Sequence, residues 1–297
     1  MSVTPGSAVV TGEERGRDVA IVVVTDSTAY LPQAVIDSYR IKVVPLNVTL
    51  GMEVFKEGTV YSNREYYRRL RSEKIFPTTS QPSTGDFYEA FSQTDPGDTI
   101  LGIFITSKLS GTAHTAEMVK GIFPDRRIFV VDSRCTVLAM AFQVLRACEM
   151  AQAGFAIEDI LDELKRIQSR FGIYFIVDDL EYLFRGGRLS RVGKLVGNIL
   201  QIKPILFISL DTQGAIQVYD KVRTKVRALE RIVEDFRRRL EKGLIERVGV
   251  CHVDCPEDAA HLQARIEALW GAPVPVYEVG PVIGSLVGPG AMGICYY

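Results

Sequence analysis

Through its first half the chain repeats one pattern: a short apolar run rich in β-branched residues, a turn of hydroxyl and carboxylate side chains, then a helical segment. Val19-Ala20-Ile21-Val22-Val23-Val24 runs into Thr25-Asp26-Ser27-Thr28, Thr99 to Ile105 into Thr106-Ser107, and Arg127 to Asp132 into Ser133. A continuous apolar run has no polar face to show to water, so it reads as a strand covered on both sides, as in the centre of a parallel sheet. Its alternation with helices predicts an α/β fold, a mainly parallel sheet flanked by helices. Ligands of such sheets bind beyond the carboxyl ends of the strands, where these polar turns fall.

Other elements fill in around that frame. A second strand is expected over Ile41 to Leu50, with Pro45 marking an edge or a bend. Ser62 and Glu65 form a capping box opening a helix to Arg71. Helices follow from Asp86, over Gly111 to Phe123, over the strongly apolar Cys135 to Gln152, and over Ile157 to Ser169. From Phe171 the pattern changes: a strand over Ile173 to Val177, a short helix over Leu180 to Leu183, and an apolar helix over Leu189 to Ile202. A hairpin joins Pro204 to Ser209 with Ile216 to Val222 through Asp211-Thr212-Gln213-Gly214. Helices over Lys225 to Lys242 and Pro256 to Trp270 alternate with strands over Arg247 to Val253, Val274 to Val279 and Met292 to Tyr296. The expected organisation is a disordered tail over 1–17, an N-terminal α/β domain over 18–168 and a C-terminal α+β domain over 169–297.

Charge and composition exclude several functions. With 35 basic and 36 acidic residues there is no electrostatic footprint for nucleic acid or an anionic membrane. No apolar run approaches a membrane span, and Met1 to Arg17 lacks the apolar region of a signal peptide. Five cysteines at irregular spacing argue for a reducing, cytoplasmic location, and Cys251-His252-Val253-Asp254-Cys255 lacks the second ligand pair of a zinc site. Gly284-Ser285-Leu286-Val287-Gly288 has its Ser one place too early for a nucleophile elbow, and the histidines are His114, His252 and His261. Neither Gly186-Gly187 nor Gly288-Pro289-Gly290 is a phosphate-binding loop. No catalytic residue, metal or cofactor is expected, and the chain reads as a binding protein, not an enzyme.

Two stretches stand out as a binding site. Thr78-Thr79-Ser80-Gln81-Pro82-Ser83-Thr84-Gly85 and Thr106-Ser107-Lys108-Leu109-Ser110-Gly111-Thr112 combine neutral hydroxyls with free backbone N–H groups, a cradle for an anion. Helix capping is the plainer reading of such residues, although one cap needs one hydroxyl. Arg188 could reach an anion, whereas Arg185 is expected to pair with Asp178, Asp179 or Glu181. Val192 to Leu200 could line a pocket or simply pack between domains.

Taken together, Val24-Thr25-Asp26-Ser27-Thr28-Ala29, Val44-Pro45-Leu46, Thr79-Ser80-Gln81-Pro82-Ser83, Ser107 to Thr112, Val131-Asp132-Ser133, Gly186-Gly187-Arg188-Leu189-Ser190 and Gly288-Pro289-Gly290 form a specific set. The chain resembles the DegV family of bacterial fatty-acid-binding proteins, whose members serve as the acyl-carrying subunit of a fatty acid kinase. The resemblance implies a long-chain fatty acid in an apolar tunnel between two domains, its carboxylate held by Thr79 and Ser107, with Thr106 as the neighbouring alternative. The ligand-binding set expected on this basis is completed by Ser80, Ser110, Gly111, Arg188 and Ser285. Many family members carry a His where this chain has Leu286, and that His contributes to the carboxylate network. The competing expectation is an enzyme or subunit that binds a phosphorylated small metabolite at the same loops. A third is a regulatory protein whose domains close on a ligand. A long apolar space behind the loops favours lipid; a shallow wet cleft favours the metabolite.

Overall fold

The computed structural model describes residues 20–73, 75–188 and 202–297. Strands β1 (Ile21–Asp26), β2 (Lys42–Val44), β6 (Thr99–Phe104) and β7 (Ile128–Asp132) form a parallel sheet in the order β2-β1-β6-β7. Their alternation has physical content. Val24, Ile100 and Phe104 bury against α3 (Thr84–Ser92) and α4 (Thr112–Lys120), while Val23, Leu101 and Ile103 bury on the opposite face with α5 (Val137–Gln152).

Helix α5 is apolar nearly all round, and the packing explains why. It touches β1 and β6 on one side and two strands of a second sheet, β11 (Val248–His252) and β13 (Met292–Tyr296), on the other. A helix between two sheets has no face left for water. By contrast α6 (Ile157–Gln168) buries only Ile157, Ile160, Leu164 and Ile167, one stripe of an amphipathic helix.

The second sheet has the order β10-β9-β8-β13-β11-β12 and adds β8 (Gly172–Ile176), β9 (Lys203–Ser209), β10 (Gln217–Val222) and β12 (Val276–Glu278). It is antiparallel except for the β11–β12 pair. Helices α8 (Lys225–Glu241) and α9 (Pro256–Trp270) cover its outer face through Ala228, Ile232, Phe236, Ala259, Leu262 and Ile266. The inner face looks toward α5 and the cavity described below. The expected fold class holds: an α/β arrangement with a parallel sheet flanked by helices, plus a further sheet.

Several local expectations are corrected. Pro45 does not bend one strand; it separates β2 from β3 (Asn47–Leu50), which belongs to a third sheet of order β4-β3-β5. Proline offers no N–H to a ladder, so the chain leaves one sheet there and enters another. The remaining strands of that sheet are β4 (Glu53–Lys56) and β5 (Thr78–Ser80), so the first three residues of the Thr78 to Gly85 stretch are strand, paired in register with β3 through Thr79 and Val48. Helix α2 (Asn63–Glu73) starts as the capping box requires, with Ser62 Oγ accepting the Glu65 N–H at 3.2 Å. The short α7 (Glu181–Arg185) matches expectation, and Arg185 pairs with Glu181 at 2.6 Å. A seven-residue helix, α10 (Pro281–Val287), was not anticipated; it packs on α2, β3, β5 and α7. The expected tail over 1–17, the helix over Leu189 to Ile202 and the pocket segment Val192 to Leu200 lie outside the described residues.

Candidate functional site

The two hydroxyl stretches meet through Gln81. Its Nε2 donates to Thr115 Oγ1 on α4 at 2.6 Å, and a Cβ at Gly111 would overlap Gln81 Oε1, so this approach requires glycine. Arg188 joins from another side, donating from Nε to Leu109 O at 3.2 Å and from Nη1 to Gly186 O at 2.6 Å. The β9–β10 turn presses Gly214, at φ 79°, against Thr106 Oγ1 and Arg134 O, where no side chain would fit. Chain segments far apart in sequence thus converge on the loop that follows β6.

The loop's backbone is less available than its composition suggests. Thr106 N donates to Cys135 O at 2.9 Å, Ser107 N to Asp132 Oδ2 at 3.2 Å, and Lys108 N to Thr106 Oγ1 at 3.2 Å. Leu109 N and Ser110 N both donate to Thr106 O. The expected row of free N–H groups is therefore corrected: strand-end and turn acceptors already hold them. What remains is hydroxyl. Ser110 Oγ shares a hydrogen bond with Thr112 Oγ1 at 2.8 Å, and Ser80 Oγ accepts from Asn47 Nδ2 at 3.4 Å. The hydroxyls of Thr79 and Ser107 have no hydrogen-bond partner among the described residues.

Ser285 is placed differently. Its hydroxyl bonds Tyr66 Oη at 2.7 Å and donates to Pro281 O at 2.5 Å, which ties α10 to α2. Three more side chains grip the same helix. Tyr67 Oη donates to Val279 O at 2.6 Å and Gly280 O at 2.9 Å, Tyr30 Oη accepts from Ile283 N at 3.0 Å, and Glu57 stands beside Tyr30. Burial pushes the Glu57 carboxyl up to about 7 and that of Asp26 to about 6. Asp26 is a structural link, accepting from Thr28 N at 2.9 Å and from Ile105 N at 2.7 Å.

Behind these loops lies a narrow, half-open apolar cavity. Leu109, Thr136 and Val137 line it from the side of the parallel sheet. Ile173, Phe175, Ile208, Cys251 and Cys295 come from the inner face of the six-stranded sheet, and Ile283, Leu286 and Val287 from α10. Thr136 and His252 border it as well, but no polar atom is exposed at its surface; burial holds the His252 imidazole below its ordinary pKa, so it is neutral near pH 7. Sequence reasoning did not find this wall, because its residues carry the same apolar signal as any core. Among the described residues no cluster of His, Cys, Asp or Glu could hold a metal ion, and no helix is long and apolar enough to cross a membrane.

The family model described as "Uncharacterised protein, DegV family" matches residues 20–297. The chain belongs to the DegV family. A DegV domain-containing protein of Listeria innocua is 37% identical over 281 residues, covering 93% of this chain and 98% of the relative. The crystal structure of DegV from Bacillus subtilis, described as a fatty acid binding protein, matches with a TM-score of 0.87 at 33% identity, over 94% of this chain and 99% of that one. A DegV family protein from Thermus thermophilus, whose structure is described by its fatty acid binding, matches at 0.83 and 34% identity over the same shares. Two DegV motif stretches border the cavity directly: Ser107 to Thr112 reaches it through Leu109, and the residues before Gly288-Pro289-Gly290 reach it through Leu286 and Val287.

Proposed function

We propose that this protein is a cytoplasmic carrier that buries the chain of a long-chain fatty acid in the apolar cavity and holds its carboxylate at the hydroxyl loops, presenting it to a separate fatty acid kinase. The observation that carries the reading is the pairing of that cavity with two hydroxyls at the neighbouring loops, Thr79 and Ser107, that have no hydrogen-bond partner among the described residues. Neutral hydroxyls stabilise a carboxylate by charge-assisted hydrogen bonds and leave it unreacted. Burial of about fifteen methylenes is worth on the order of 12 kcal/mol before ordering costs. Thr106 and Arg188, which bond within or onto the same loop, are the supporting members of this head-group site. The division into units 18–168 and 169–297, and the absence of intrinsic catalysis, belong to the same proposal. Five free thiols support a reducing compartment.

The phosphorylated-metabolite reading has less support. A phosphate nest needs free N–H groups, and those of residues 106–110 are engaged. The test is mass spectrometry of an organic extract of the purified protein, with palmitate titration followed by melting temperature. A long-chain acid in near-stoichiometric amount and a ligand-induced rise are expected. No acyl species and no rise would remove the lipid reading.

A further inference from the structure

Thr79 and Ser107 belong to different sheets. Thr79 lies in β5 of the three-stranded sheet, Ser107 in the loop after β6 of the parallel sheet, and β5 and β6 are not neighbours in either. No strand pairing therefore sets the distance between the two hydroxyls, and two groups act on one carboxylate only when their spacing is held. The backbone of Gln81 is anchored on both sides. Asn47 Nδ2 donates to Gln81 O at 3.4 Å, and shortly beyond it Ser83 and Asp86 close the capping box that starts α3.

From that fixed point the side chain crosses to the second stretch. Gln81 is an exposed residue, yet its amide ends on a buried one: Nε2 donates to Oγ1 of Thr115, which is 2% exposed and itself donates to Gly111 O at 3.3 Å. A Cβ on Gly111 would overlap Gln81 Oε1 and stand 3.0 Å from its Cδ, so the carboxamide lies flat against the glycine. Gly111 is the N-cap of α4 and has no side chain to cap with. Ser107 shortly precedes it, in a turn closed by the Leu109 and Ser110 N–H groups on Thr106 O, so a shift at Gly111 carries back to Ser107. Among the described residues no other hydrogen bond joins the Thr78 to Gly85 stretch to this loop or to α4. Behind them Phe87, Phe91, Ala113 and Ala116 share one apolar core, which keeps α3 and α4 in place without the amide.

We propose that Gln81 is the positioning residue of the head-group site: its carboxamide, laid on Gly111 and bonded to Thr115, sets the separation of Thr79 and Ser107 so that both hydroxyls engage one carboxylate. This rests on the lipid reading above. The physical basis is preorganisation, since hydroxyls already spaced for a carboxylate bind it without an ordering cost that the ligand must otherwise meet. Charge-assisted hydrogen bonds are short and directional, so affinity for the acid falls once the spacing is lost. Burial of the hydrocarbon chain is non-directional and is indifferent to Gln81.

The experiment measures displacement of a fluorescent fatty acid from the delipidated full-length protein by palmitate and by methyl palmitate, which carries the same chain without the charge. It compares the native protein with Gln81→Ala, Gly111→Ala, Thr79→Val and the double variants of Gln81→Ala with each of the other two, and melting curves report folding. Gln81→Ala should weaken palmitate about tenfold, the scale of one hydrogen bond to a charged group, and leave methyl palmitate within about twofold. Gly111→Ala displaces the amide from the other side and should do the same, with the two substitutions together costing no more than either alone. Thr79→Val should cost less in the Gln81→Ala background than in the native protein, because its hydroxyl is already out of place. If Gln81→Ala melts too low to assay, Gly111→Ala puts the same question with the amide intact. Unchanged palmitate affinity, equal losses of acid and ester, or full additivity of Gln81→Ala with Thr79→Val overturns the inference and leaves the lipid reading standing. If the native protein binds neither palmitate nor its ester, the lipid reading itself fails and takes this inference with it.

Discussion

Glu57 Oε1 accepts the Val282 N–H at 2.6 Å across 225 residues of chain, so a carboxyl just beyond β4 caps the helix that walls the cavity. With Tyr30, Tyr66 and Tyr67 it forms a polar collar around α10, a helix whose seven residues are all buried. The collar fixes where Ile283, Leu286 and Val287 stand, and therefore the shape of the space they line.

Stability should depend on pH through this collar. Glu57 and Asp26 have folded-state pKa values of about 7 and about 6, both raised by burial above the ordinary carboxylate range. Between that range and pH 7 the folded protein keeps protons that the unfolded chain releases. The stabilisation is therefore complete at low pH and is lost as pH rises through the folded values. For Glu57 the effect is on the order of 3 kcal/mol. Melting temperature should fall between about pH 5 and pH 8. Glu57→Gln should flatten that dependence and melt higher than the native protein at pH 8. Identical pH profiles for the two proteins would refute this.

Tyr67→Phe should be costly. Tyr67 is fully buried, and its hydroxyl serves both Val279 O and Gly280 O at the entry to α10. Removing it takes the hydroxyl from Val279 O, while Gly280 O keeps the Gly284 N–H at 2.9 Å, for a loss of roughly 1 to 3 kcal/mol in denaturant unfolding. A change below about 0.5 kcal/mol would show that water replaces the hydroxyl without penalty.

For the head group, Thr79→Val or Ser107→Ala should weaken fatty-acid binding by roughly 1.5 to 3 kcal/mol, the range for a hydrogen bond to a charged group. Melting curves should barely move, because neither hydroxyl bonds a described residue of the protein. Unchanged affinity in both variants would place the carboxylate elsewhere.

Leu286 lines the cavity beside Gly186, which leaves a site where a cation could face the ligand's carboxylate. Leu286→His should tighten acid binding as pH falls below about 6.5, the ordinary imidazole pKa, and burial would move the onset lower still. Binding that is equally tight at pH 5.5 and pH 8 would exclude a charged imidazole at the head group.

How much of this the sequence discloses depends on whether a segment's pattern is set locally. Strands β1, β6 and β7 were legible because burial on both faces writes itself as an unbroken apolar run. The third sheet was not: three residues of β4 are exposed, and β5 is Thr-Thr-Ser, whose pairing with β3 is decided by packing elsewhere. Helix α10 was invisible because Pro281 to Val287 has no polar residue but Ser285, and so no helical period to detect. The two hydroxyl loops stand out in composition, but the occupation of the Thr106 and Ser107 N–H groups by Cys135 and Asp132 depends on tertiary contacts no spacing rule encodes.

The position of β13 has a consequence for how the molecule comes into being. It lies between β8 and β11, in the middle of the six-stranded sheet, yet follows every other strand of that sheet in the chain. While the chain is being made, β8 and β11 each present an open edge that only β13 can close, and the wall carrying Cys295 does not exist until it does. Such late, non-local closure is slow to nucleate and leaves exposed edges in the meantime. A nascent molecule is thus an empty scaffold, and a lipid arriving at that stage would find half a container.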